Sequence, residues 1–145
     1  MSNVDLADLV DNGPRLQAVP EGVHQLLVLS AKRYTKKETG VESLIIEADI
    51  TDEAEGTPLL IYVVIPTPET LGSGDPAVKR DAMEDLEKIR QTVAGFSLPS
   101  SSLNNVDMET GLLPEWVGAT ANAYLRSYVA RDGVLRNIIK NFLPS

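Results

Sequence analysis

The chain has no cysteine, one histidine, and aromatic residues at only 5% of its 145 positions. Without cysteine there is no disulfide, no thiol nucleophile and no thiolate metal site. His24 stands alone in an apolar stretch, with no companion for a metal site, so its expected role is structural. No apolar run approaches the roughly 20 residues needed to cross a bilayer, so no membrane partner is expected. The first twenty residues carry Asp5, Asp8 and Asp11 and no long apolar stretch, the wrong composition for a secretory signal. The compartment these absences suggest is a reducing cytoplasm.

What is present is a core's worth of apolar residues, 43% of the chain, in a length that suits one domain. The formal net charge is −8, which argues against a polyanionic partner until its distribution is considered. Residues 1–29 sum to −3, residues 30–37 to +4, residues 38–115 to −12 and residues 116–145 to +3. Two basic islands therefore sit in an acidic chain. Local patches matter because salt screens charges beyond about 8–10 Å.

Hydrophobic periodicity gives the elements. Residues 1–20 read as an acidic, flexible arm, broken by Asn12-Gly13-Pro14 and ended by Pro20. Strands are expected at 23–34, at 42–52 and at 58–65. The second alternates cleanly, with Leu44, Ile46, Ala48 and Ile50 on one face and Ser43, Glu47 and Asp49 on the other. The third is apolar on both faces, which predicts a central or covered strand with Tyr62 in the core. A Glu53-Ala54-Glu55-Gly56 turn joins the two. A helix follows, with Asp75 as N-cap, Pro76 in the first turn and Val78, Ala82, Leu86, Ile89 and Val93 as its apolar stripe. Gly95 sits where a left-handed C-terminal residue is wanted. Residues 97–115 read as irregular, with a short helical turn within 108–115. Trp116 reads as a packing plug. Strands at 117–130 and 134–142 flank the hairpin signal Asp132-Gly133.

The order β1-β2-β3-α-β4-β5 is that of an OB-fold, a mainly β, five-stranded and partly open barrel, here spanning residues 21–145; the competing architecture is a flat α+β sheet with the helix packed on one side. Such a barrel presents nucleic acid to its strand 2–3 face and to its first and last hairpin loops. The basic islands fall on those elements, which such a fold would bring together at the mouth of one groove: Lys32, Arg33, Lys36 and Lys37 at the end of the first strand and in its loop, and Arg126, Arg131, Arg136 and Lys140 on the last hairpin. Tyr34 follows the first pair of bases, and Tyr124, Arg126 and Tyr128 share a face at period two. Tyrosine rings stack on unpaired bases and arginine adds phosphate pairing, so single strands suit this pattern better than duplex. The competing explanation is that these tyrosines are cross-strand packing residues.

Signals for catalysis are poor. Asp81, Glu84, Asp85 and Glu87 are expected on the solvated helix face. Gly72-Ser73-Gly74 before a helix lacks the Gly-Lys-Ser/Thr ending of a phosphate loop. No nucleophile, base and orienting group can be assembled, so neither an enzyme nor a cofactor is expected.

Several short motifs add a family resemblance. Val19-Pro20-Glu21-Gly22-Val23-His24 resembles a Pro-x-Gly-x-Tyr entry into a first strand, with His24 in the aromatic's place. The basic 32–37 turn, the strand–Gly–strand of the second and third strands and the helix ending at Gly95 continue it. Trp116-Val117-Gly118 and Asn137-x-x-x-Asn141-Phe142 complete it. Over residues 19–145 the chain resembles the single-stranded-DNA-binding proteins of tailed bacteriophages, a divergent OB-fold group. The resemblance implies a protein that coats single-stranded DNA without sequence preference during replication or recombination, in a host cytoplasm. RNA, replication or recombination proteins and further copies of the chain are the other partners it brings in. Many members of that functional class end in an acidic tail. Here no acid follows Asp132, and the acidic arm is the one candidate to replace it. The alternative function is a protein–protein module, such as a virion or assembly component on a β-barrel, which the acidic 38–115 region suits equally well.

Overall fold

β1 (Gly22–Thr35) is the hub of the sheet. Its first half pairs with β4 (Thr120–Val129) and its second half with β2 (Glu42–Ile50). β3 (Leu59–Val64) extends the sheet beyond β2, and β5 (Leu135–Phe142) beyond β4. All four ladders are antiparallel, in the order β3-β2-β1-β4-β5. This computed structural model describes residues 5–12, 18–52 and 58–144; the Gly13-Pro14 break and the 53–56 turn expected from the sequence lie outside them. Among the described residues no helix is long and apolar enough to cross a membrane.

One face of the sheet is the core. Leu26, Leu44, Ile46 and Leu125 are fully buried, and each contributes roughly 1.5–3 kcal/mol by leaving water. A helix, α3 (Pro76–Gly95), lies between β3 and β4 in sequence and buries Ala82, Ile89, Thr92 and Val93. Its start follows the sequence: the Asp75 side chain accepts from the Ala77 N–H at 3.0 Å, with Pro76 in the first turn. Before it, Thr67 and Thr70 form a reciprocal cap on the single turn α2 (Pro68–Leu71).

A bulge between Val28 and Ser30 changes which residues face the core. Before it the even-numbered His24, Leu26 and Val28 point inward; after it Ala31 is the buried residue. Strict alternation would have carried Lys32 and Tyr34 into the core. The extra residue turns them onto the opposite, outer face.

Three expectations are corrected. β3 is an edge strand of this sheet and not central; it buries Leu59 and Val63 on its core side, while Tyr62 on the other side is 57% exposed. Gly95 does not adopt the left-handed conformation; Ser97, at φ 54°, does. Gly95 is small for another reason, because a Cβ there would meet the Phe142 ring. Ser43 does face away from Leu44 and Ile46, as expected, but is covered there: it is 2% exposed and donates to the Tyr62 hydroxyl at 2.8 Å. β4 begins at Thr120 and not at Val117, because Val117 and Gly118 form a turn whose Gly118 N–H donates to the Val28 carbonyl of β1. The packing plug ahead of that turn is Trp116, which is fully buried as expected. Phe96 meets Trp116 and Phe142 edge-on, with centroids 6.0 and 5.5 Å apart.

Among its described residues the arm contains a short helix, α1 (Leu6–Asn12), whose Leu6 and Val10 are exposed. The chain joins the sheet at Val19, which is buried and held by Asn137: its N–H donates to Oδ1 at 2.8 Å and its carbonyl accepts from Nδ2 at 3.1 Å. His24 is buried beside this entry, with Nδ1 3.1 Å from an Asp52 carboxylate oxygen and Nε2 2.6 Å from the Pro20 carbonyl. That contact set fits the structural role expected of it.

Candidate nucleic-acid interface

Directly paired residues share a face, so the ladders define what lies on the outer side of the sheet. Lys32 pairs with Ile45 and Ile45 with Tyr62, making one row; Tyr34, Ser43 and Val64 make the next. On the other side of β1, Val23 pairs with Tyr124 and Gln25 with Asn122. Arg126 pairs with Ile138 and Tyr128 with Arg136. All four tyrosines of the chain, Tyr34, Tyr62, Tyr124 and Tyr128, therefore stand on the outer face, and none is in the core. Two carry a cation: Lys32 Nζ lies 5.6 Å from the Tyr34 ring centroid, and Lys140 Nζ 5.6 Å from that of Tyr124. A second bulge, between Tyr124 and Leu125, is where Lys140 loses its ladder partner.

The cations divide into distinct groups. Lys32, Arg126, Arg136 and Lys140 belong to the outer face or its rim. Arg136 is already paired, Nη2 to Asp132 at 2.7 Å, and the Val134 N–H with this bond holds the Asp132 carboxyl below its ordinary range. Arg33 points to the other side of β1. Its guanidinium donates to both Glu42 oxygens, at 2.8 and 2.7 Å, and to the Leu103 carbonyl at 3.0 Å. The hydrogen bond to Glu42 raises its pKa further, and three of its five N–H groups are engaged in these contacts. Lys36 and Lys37 lie in the exposed β1–β2 turn, and Arg131 in the β4–β5 turn.

These two turns do not share one mouth. The β1–β2 turn follows Thr35, whereas β4 runs past its pairing with Gly22 before turning at 131–133. They lie at opposite ends of the 14-residue β1, which would span roughly 45 Å if straight. The sheet lies between them as a tyrosine-bearing floor. Acids are present on it too: Glu47 is exposed and Asp49 half-buried on β2.

Sequence reasoning missed Tyr62, Leu60 and Ile138, all more than half exposed on this face. The run Leu59 to Val64 carried no signal that its outer positions face solvent, because an apolar strand reads alike at an edge and in a core. No protein-family model matches the chain, and no curated protein matches it.

Proposed function

We propose that this chain is a single-stranded nucleic-acid-binding module, with single-stranded DNA as its ligand and the outer sheet face as its interface. One observation carries the reading: every tyrosine in the chain stands on the sheet face opposite the core, interleaved with Lys32, Arg126 and Lys140. Unpaired bases expose flat π-faces, and rings on a fixed floor stack on them without regard to sequence. Duplex DNA hides those faces. The strand order, with the helix between β3 and β4, supports an OB-fold barrel opened along β3 and β5, and its strand 2–3 face is the row system holding Lys32, Tyr34 and Tyr62. Ser43, by bonding the Tyr62 hydroxyl, fixes that ring before any ligand arrives.

Substitution of Tyr62 tests the reading. Tyr62→Ala is expected to weaken binding of a fluorescent dT oligomer by about 1–3 kcal/mol, with a stability loss limited to about 1 kcal/mol for the lost Ser43 hydrogen bond. Loss of stability with unaltered affinity is how a packing residue behaves, and it would remove the tyrosine face from the interface.

A further inference from the structure

The two edges of the sheet face each other across an open seam. Two cavities, about 450 and 380 Å³, lie along it, and β3, β5 and Tyr128 line both. Neither is lined by an acidic side chain among the described residues, in a chain with 21 acids. Three cations reach it: Arg136 in the first cavity, and Lys88 of α3 and Lys140 in the second.

The seam also holds unpaired backbone. The Ile65 N–H donates to Glu42, so β3 turns alternate residues toward β2 and leaves the N–H and C=O of Leu60 and Tyr62 facing the edge. By the same alternation from the Ala130–Val134 bond, Leu135 and Asn137 turn theirs out from β5. Open edges of this kind take a ligand that offers its own donors and acceptors.

We propose that the seam is a nucleobase subsite of the same interface. An unpaired base enters beside Tyr128, with Leu60 and Ile138 as apolar walls, and its hydrogen-bonding edge meets the free backbone groups. The attached phosphates lie toward Lys88 and Lys140. This rests on the reading of the chain as a single-strand binder and extends it to α3, which no tyrosine row reaches. An extended peptide would also suit open strand edges, but it gains less from an aromatic ring flanked by Lys88 and Lys140 in a cavity whose lining carries no acid among the described residues. Burial raises the Asp85 carboxyl above its ordinary range, and the nearby exposed Lys88 offsets part of that rise.

The test uses the full chain, a labelled dT oligomer and three variants. Lys88→Glu and Gln91→Glu, both on exposed α3 positions lining the seam, are each expected to weaken binding roughly tenfold with melting unchanged. Lys88→Glu should also make the salt dependence shallower by about 0.7 in log–log slope. Lys32→Glu reports on the outer face alone. If both seam variants bind as wild type while Lys32→Glu weakens, the subsite is overturned, the outer face stands and the open edges are left to a peptide. If the unmodified chain binds no oligomer, subsite and parent reading fall together.

Discussion

Lys32 and Arg33 are adjacent cations with opposite expected behaviour, because the bulge in β1 sends one outward and the other back toward Glu42 and Leu103. Arg33→Met removes a bidentate ion pair and a bond to a backbone carbonyl. The two charged side chains are 25% and 31% exposed. Solvent reaches them, so the cost lies above the under-1 kcal/mol of surface pairs and below the roughly 3–5 kcal/mol of breaking a buried one. About 2 kcal/mol is the expected loss. In a chain of this length each kcal/mol lowers melting by roughly 2–4 °C, so Arg33→Met should melt about 4–8 °C lower. Its affinity for a dT oligomer should stay within about twofold. Lys32 is exposed and makes no ion pair among the described residues. Lys32→Met should therefore keep its stability within about 0.5 kcal/mol while binding the oligomer more weakly. Differential scanning fluorimetry and fluorescence anisotropy on the two variants read both quantities. A swapped pattern, with Arg33 carrying affinity and Lys32 stability, would refute the bulge and the face assignment built on it.

Gly95→Ala places a Cβ 2.5 Å from Cγ and 2.9 Å from Cβ of Phe142; the overpacking costs about 1–3 kcal/mol against up to about 1 kcal/mol gained in helix propensity. A lower melting temperature is expected, and a raised one would mean that Phe142 does not lie against the helix end. The Glu21 carboxylate accepts from the N–H and hydroxyl of Ser127, both at 3.0 Å, and these bonds hold its pKa below the ordinary 4.5. A folded pKa below the unfolded one gives stability that is present above the ordinary value and lost as pH falls through the lowered one. The stability difference between wild type and Glu21→Gln should therefore shrink on acidification below about 4.5. Denaturant midpoints from pH 7 to 3 check this, and a difference that stays constant would exclude the Ser127 contact.

The sequence is most legible where one periodicity governs a segment. Leu44, Ile46, Ala48 and Ile50 alternate and are all buried, and Asp75-Pro76 begins the helix that its cap chemistry announces. It is least legible where a single residue shifts phase. Nothing in Leu26 to Leu29 marks the bulge that brings Lys32 and Tyr34 outward, since bulges are set by the ladder's two strands together. Tyr62 reads as core because Leu59 to Val64 offers no polar face, yet its strand lies at an edge, a property of the whole sheet. Arg33 counts toward a basic island by composition, but its charge is neutralised by Glu42, nine residues on, through a pairing that only the β1–β2 ladder creates. The expected convergence of the two islands fails for a similar reason, because register decides which ends of the strands the turns occupy.

The most direct measurement is a titration of the unmodified chain with a dT oligomer and with a duplex of equal length at two salt concentrations. The account predicts that the single strand binds more tightly, with log affinity falling against log salt at a slope near −0.7 for each phosphate neutralised. Equal or tighter binding of the duplex, or no binding of either, would contradict it.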